Sequence, residues 1–158
     1  PNVDSLLWFL INVFPILEQA IPGIKLKVVG DNSAPSLATT GKDNINFTGR
    51  VDSIEEIYNT SRVFIAPTRF AAGIPHKIHE AAANGLPSVT TPLLAQQLGW
   101  KDSKELLVGD TPEAYAAQCI KLYQDEKLWQ DVRDAGLAAI VEDCSQETFR
   151  KNLAGLFS

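Results

Sequence analysis

Methionine is missing from all 158 positions, the first included, so the chain reads as a segment cut or processed from a longer protein. Cysteine is scarce. Cys119 and Cys144 lie in helical patterns, without the spacing a metal site needs. They read as two reduced, buried thiols, which suits the cytosol. The two histidines, His76 and His79, have no metal-ligating neighbours at a useful spacing. No Asp-x-Asp sequence occurs. No Gly-x-Gly-x-x-Gly comes after an apolar run, which disfavours a dinucleotide-binding oxidoreductase. Positive charge is in deficit, with 14 Lys and Arg against 19 Asp and Glu. A net charge of −5 argues against broad nucleic-acid binding, which wants a basic face. No run of 18 apolar residues exists, so no membrane span is expected. The candidate from Leu6 to Leu17 is short and is interrupted around Asn12, Pro15 and Glu18. No signal peptide is recognisable. Neither a Ser-His-Asp nor a Cys-His arrangement is readable, and no two carboxylates are placed for hydrolysis.

What is present is an ordinary globular composition, 45% hydrophobic and 21% charged. That is enough for one domain with a real core. Val3, Leu6, Leu7, Leu10, Val13, Phe14 and Leu17 recur at helical steps, giving a helix from about 3 to 20 that Pro22-Gly23 ends. Apolar strands are expected at 26–30, 45–49, 63–66, 87–90 and 106–108. Between them, Ser53-Ile54-Glu55-Glu56 reads as a capping box. Further helical turns are expected near 35–38 and 92–98. Thr111-Pro112 opens a helix with Thr as cap and Pro first. Two more helices are expected at about 127–142 and 146–156. Strands alternating with helices predict a Rossmann-like, doubly wound parallel α/β sheet. Ligands bind such sheets beyond the carboxyl ends of the strands. Gly30, Gly49, Pro67 to Gly73, Thr90-Thr91 and Gly109 should line that crevice, with Arg50 and Arg69 facing it.

The stretch from Ala66 to Pro87 organises the rest. It reads as a strand end, a loop containing Gly73, a helix opening at Pro75 and a stop at Gly85. A glycine loop feeding a helix N-terminus is an anion site, because free backbone N–H groups and the macrodipole point at the ligand. Lys77 adds a cation there. Glu80 stands at i+3 on the same helix face. Each has a plainer reading. Glu80 and Lys77 are solvated surface charges in that case, Arg69 a structural salt bridge, Arg50 a loop residue, and His79 a packing residue. Trp8, Trp100 and Trp129 read as packing residues.

Gly49-Arg50-Val51-Asp52, Ile65-Ala66-Pro67-Thr68-Arg69, Gly73-Ile74-Pro75-His76-Lys77-Ile78-His79-Glu80-Ala81 and Gly85-Leu86-Pro87-Ser88-Val89 together resemble a known pattern. It is the C-terminal, donor-binding half of retaining glycosyltransferases of the two-domain GT-B architecture, in the family-four (group 1) branch. The resemblance covers essentially all of residues 1–158. It implies an enzyme transferring a sugar from a nucleoside-diphosphate donor to an acceptor hydroxyl, in bacterial polysaccharide or glycoconjugate synthesis. The implied location is cytoplasmic, with peripheral association at the inner face of the membrane as an option. No cofactor or metal is implied, since the nucleotide sugar is the substrate. The implied donor-binding residues are Gly49, Arg50, Arg69, Gly73, Ile74, Pro75, His76, Lys77 and Glu80. Glu80 matches the second glutamate of the family signature, which meets the donor ribose. The first falls at Ala72, a departure that leaves open a non-catalytic nucleotide-sugar-binding domain. A sugar-nucleotide epimerase of similar architecture also stays open. The acceptor-binding N-terminal half and the domain's first, central strand are not in these residues. An unfilled slot would leave two rows of unpaired backbone groups.

Overall fold

The computed structural model describes residues 2–70, 75–145, 150–151 and 153–155. The first helix runs from Asn2 to Ala20 in three parts. The α-helical ends α1 (Asn2–Trp8) and α2 (Phe14–Ala20) flank a π-helical segment, Phe9–Val13. Pro15 explains the middle part. It offers no N–H to the carbonyl of Ile11, and its ring would press on that carbonyl. The backbone widens instead, and the Phe14 N–H reaches back to the Phe9 carbonyl in the i→i+5 pattern. By length and composition this 19-residue helix, with a mean hydropathy of 1.3 over its best window, does reach what a membrane crossing requires. That corrects the expectation from apolar runs, which counted unbroken stretches rather than average hydropathy. Here Phe9, Leu10, Val13, Phe14 and Leu17 are buried against Tyr115, Ala116, Cys119 and Leu122. Such packing is that of a core helix.

The strands are β1 (Leu26–Val29), β2 (Ile45–Gly49), β3 (Phe64–Ala66), β4 (Ser88–Thr90) and β5 (Leu107–Val108). All pairings are parallel, but the strands fall into two ladders, β1–β2 and β3–β4–β5. Between them in sequence lie a 3-10 turn at Pro35–Leu37 and the helices α3 (Glu55–Asn59), α4 (His76–Ala83) and α5 (Pro92–Leu98). The helices α6 (Pro112–Gln124) and α7 (Glu126–Asp143) come after β5. Helices cover both faces, as a doubly wound fold requires. Leu26, Val28, Ile65, Val89 and Leu107 point to the layer formed by the first helix and α6. Phe64, Ala66, Leu106 and Val108 point to the layer of α4 and α5, where Ile78, Ala82, Leu94, Ala95 and Trp100 are buried. This is the period-2 alternation of a sheet buried on both sides.

Several local expectations hold. Thr111 caps α6 by accepting from the Ala114 N–H, and Pro112 is its first residue. Gly85 (φ +73°) ends α4, with the Leu86 N–H on the Ala81 carbonyl, a closure that needs a left-handed residue. Others are corrected. Ser53 makes no capping box, because α3 begins after Ile54 with no side-chain cap. Cys119 is buried but Cys144 is exposed, since it stands just past the end of α7. The helix expected at 146–156 lies largely outside the described residues; residues 150–151 and 153–155 are helical.

Candidate functional site

The carboxyl ends of the strands are shaped by local chemistry. On β2 the register with β1 slips between Val28 and Val29, so that Gly49 pairs with Val29 and Thr48 is left over. Such a bulge bends the strand and re-aims the residues after it. Thr48 Oγ1 donates within this turn to carbonyls of Val28 and Gly49, and Gly49 takes a φ of +70°. The next residue, Arg50, is exposed to solvent. Beyond the neighbouring end of β1, Asp31 accepts from the Ser33 N–H at 2.9 Å. That bonding, with the Arg50 charge adding to it, holds the Asp31 carboxyl below its ordinary value.

After β3, the Thr91 hydroxyl donates to the Thr68 carbonyl at 2.6 Å, which ties the departing loop to the end of β4. Arg69 is not turned toward α4. Its guanidinium meets the Asp4 carboxylate at 3.0 Å and lies over the Trp8 ring at 5.4 Å. The salt bridge is the contact that Arg69 makes here. Ala72, Gly73 and Ile74 lie outside the described residues.

Pro75 is the cap of α4 (φ −78°, ψ 80°), so the helix opens at His76, one residue later than expected. A proline at the cap still withholds no useful donor. The Ile78 N–H turns back to the Pro75 carbonyl at 3.0 Å. Among the described residues nothing accepts from the N–H of His76 or Lys77, which are the orphan donors of a first turn. The side chains of His76, Lys77 and Glu80 are exposed, while Ile78, Ala81 and Ala82 anchor the opposite face in the core. Glu80 is not free on its surface. Its Oε2 accepts from the Tyr58 hydroxyl at 3.3 Å. Tyr58 is 5% exposed. Burial and the Glu80 carboxylate push its hydroxyl up to about 12. Sequence reasoning missed Tyr58, although a buried tyrosine always raises the question of what its hydroxyl bonds.

His79 turns away from this face. Its ring lies 5.4 Å from that of Trp100, and its Nε2 is 3.5 Å from Asp143, which also accepts from Trp100 Nε1. It is a packing residue between α4 and α7. Among the described residues no three His, Cys, Asp or Glu side chains gather where they could hold a metal. A depression of about 250 Å³ exists, but it is lined by Leu10, Ile11, Thr39 to Lys42 and Ile45. It lies at the amino end of β2, away from this site.

A doubly wound parallel domain whose α4 starts with an exposed lysine and a hydrogen-bonded glutamate on one face is Rossmann-like in architecture. Its relatives narrow the class. The family of glycosyl transferases group 1 matches residues 1–125, and the chain belongs to that family. A Klebsiella pneumoniae protein described as an uncharacterized 44.6 kDa protein in cps region is 23% identical over 128 residues, which covers 75% of this chain and 33% of that protein. The structure of TarM superposes with a TM-score of 0.82 at 15% identity, covering 98% of this chain and 32% of that one. Anabaena Alr3699/HepE, in complex with UDP and glucose, gives a TM-score of 0.76 at 14% identity over 92% of this chain and 43% of that one. These likenesses confirm the fold as that of GT-B glycosyltransferases. The chain spans about a third of the length of the Klebsiella protein and of TarM and 43% of the Anabaena one.

Proposed function

We propose that residues 1–158 are the donor-binding, C-terminal half of a two-domain glycosyltransferase that moves a hexosyl group from a nucleoside-diphosphate sugar to an acceptor hydroxyl. The single observation that carries this reading is the start of α4. Two backbone N–H groups without acceptors among the described residues, on His76 and Lys77, stand one turn before an anchored Glu80. The amides and the Lys77 ammonium would stabilise charge on the departing diphosphate, with Gly73, Ile74 and Pro75 shaping the approach. Glu80 would accept from the ribose hydroxyls. Gly49 and Arg50 would border the base. Arg69 would join the diphosphate only by leaving Asp4. The UDP and glucose held by the Anabaena relative support a nucleotide-sugar donor. The cps-region relative supports polysaccharide synthesis, which would place the enzyme in the cytoplasm at the inner face of the membrane. Such active sites form between two domains, so residues 1–158 alone should transfer no sugar.

Calorimetry on Glu80→Gln tests the assignment. A charge-assisted hydrogen bond contributes about 1.5–3 kcal/mol, so nucleoside-diphosphate affinity should fall about tenfold to a hundredfold with the fold intact. Equal affinities of mutant and parent would remove the ribose contact. Ala72 in the place of the family's first glutamate favours a second reading, a binding domain without catalysis. A turnover assay on the intact two-domain protein separates the two.

A further inference from the structure

We infer that Tyr58 is a positioning residue for Glu80, holding that carboxylate ready for a ribose diol; the inference rests on the ribose assignment proposed above. The geometry has three parts. The Tyr58 ring is fixed, because it packs with Ala81 and Leu86 in a small buried cluster flanked by Ile54 and Phe64. It also meets the Phe64 ring edge-on, with centroids 6.2 Å apart and planes at 70°. A ring so held has little rotational freedom, and its hydroxyl is a fixed point at the edge of the core. Second, Ala81 is in the same cluster and is the neighbour of Glu80 in α4, so the distance between the hydroxyl and the Glu80 backbone is set by core packing, within reach of the carboxylate. Third, one carboxylate oxygen of Glu80, Oε2, accepts from the Tyr58 hydroxyl, at 3.3 Å. A carboxylate offers about four lone-pair sites, so acceptor capacity remains for two ribose hydroxyls.

An exposed glutamate otherwise samples many rotamers, and ordering it on binding costs affinity. The Tyr58 hydroxyl removes part of that cost in advance. With its pKa pushed up to about 12, it stays a donor throughout the neutral range. The sequence hides this pair, because 22 residues separate its members and α3 and α4 flank different connections.

The test is Tyr58→Phe, which keeps the ring and its packing and removes only the oxygen. Binding of UDP, GDP and ADP, and of their 2′,3′-dideoxy counterparts, is measured by calorimetry on the parent chain, Tyr58→Phe and Glu80→Gln. The expected result is a loss of about three- to tenfold for the ribonucleotides in Tyr58→Phe, with the dideoxy affinities unchanged. The melting temperature should stay near the parent's. A merely structural role would weaken both nucleotide series together, and that outcome overturns the inference. So does an unchanged or increased ribonucleotide affinity in Tyr58→Phe, while Glu80→Gln still shows its loss. If Glu80→Gln shows no loss, or no nucleotide binds the parent at millimolar concentration, the ribose assignment falls and takes this inference with it.

Discussion

Single side chains divide here into those that would touch a ligand and those that hold the touching ones in place. Lys77 belongs to the first kind. It is exposed on the first turn of α4 and is a flexible point charge suited to phosphate. Lys77→Ala should therefore weaken a nucleoside diphosphate much more than the nucleoside alone, and side-by-side titrations will show it; equal losses would move the phosphate elsewhere. Tyr115 belongs to the second kind. It is fully buried; its hydroxyl accepts from the Ala66 N–H at 3.1 Å and donates to the Val89 carbonyl at 2.7 Å. It stitches β3 to β4 just before the loops at the strands' carboxyl ends. Tyr115→Phe leaves two backbone groups without that partner, at a cost of about 1–3 kcal/mol. At this chain length, that lowers the melting temperature by about 2–10 °C, measurable by differential scanning calorimetry. Burial raises the Tyr115 hydroxyl well above its ordinary value and Tyr58 to about 12. In both cases the folded state holds its proton more tightly than the unfolded chain. Their contribution to stability is thus present below about pH 10, the ordinary tyrosine value, and lost as the pH rises through the folded-state values. The helix that carries Lys77 and Glu80 was legible in sequence because a loop, a proline and a glycine stop are local signals. Tyr58 and Tyr115 were not, because their partners are distant in sequence.

Elements obeyed the same rule. The bounds of β2 and α5 were readable outright, since their periodicity and turn residues are local. The π segment in the first helix was not expected. Pro15 was visible as an interruption, yet apolar periodicity does not say whether a chain kinks, stops or widens. The Ser53 box failed for a related reason: the motif is necessary for that cap but does not compel the chain to enter the helix at that residue. Gly109 shows what a glycine signal means when packing decides. It ends β5, donates to the Thr90 carbonyl and lies against the first turn of α6. A Cβ there would come within 2.4 Å of Tyr115 Cα and 2.6 Å of its backbone nitrogen. Backbone cannot yield as a flexible side chain does, so Gly109→Ala must push α6 away from β5. Overpacking of this kind costs about 1–3 kcal/mol. Denaturant unfolding should show a lower midpoint, and a parent-like midpoint would mean that the loop relaxes freely.

At the scale of the whole molecule the notable fact is that five parallel strands form two ladders. Leu26, Val28 and Ile65 nonetheless pack under the same helical layer. The slot anticipated from sequence would then lie between β1 and β3, the two strands that face each other across the ladders. The Leu26 N–H bonds Asn44 on β2's side, and the Phe64 N–H bonds Pro87 on β4's side. By strand alternation, Lys27 and Ile65 turn their backbone groups toward the opposite edges. Exposure agrees. Phe64, Ile65 and Ala66 are each only half-buried, while Ser88, Val89 and Thr90 beside them are all buried. An apolar strand in a parallel fold is ordinarily buried on both faces and both edges, so β3 is an edge by circumstance rather than by composition. Amide hydrogen exchange on this chain reads the difference directly. The amides of Leu26 and Phe64, bonded within their ladders, should exchange slowly, and those of Lys27 and Ile65 fast. In a longer chain that supplies a parallel strand to the slot, Lys27 and Ile65 should become as protected as their neighbours, and the melting temperature should rise. Equal protection of Ile65 and Phe64 in the present chain would show that the two ladders already close on each other and that no strand is wanted.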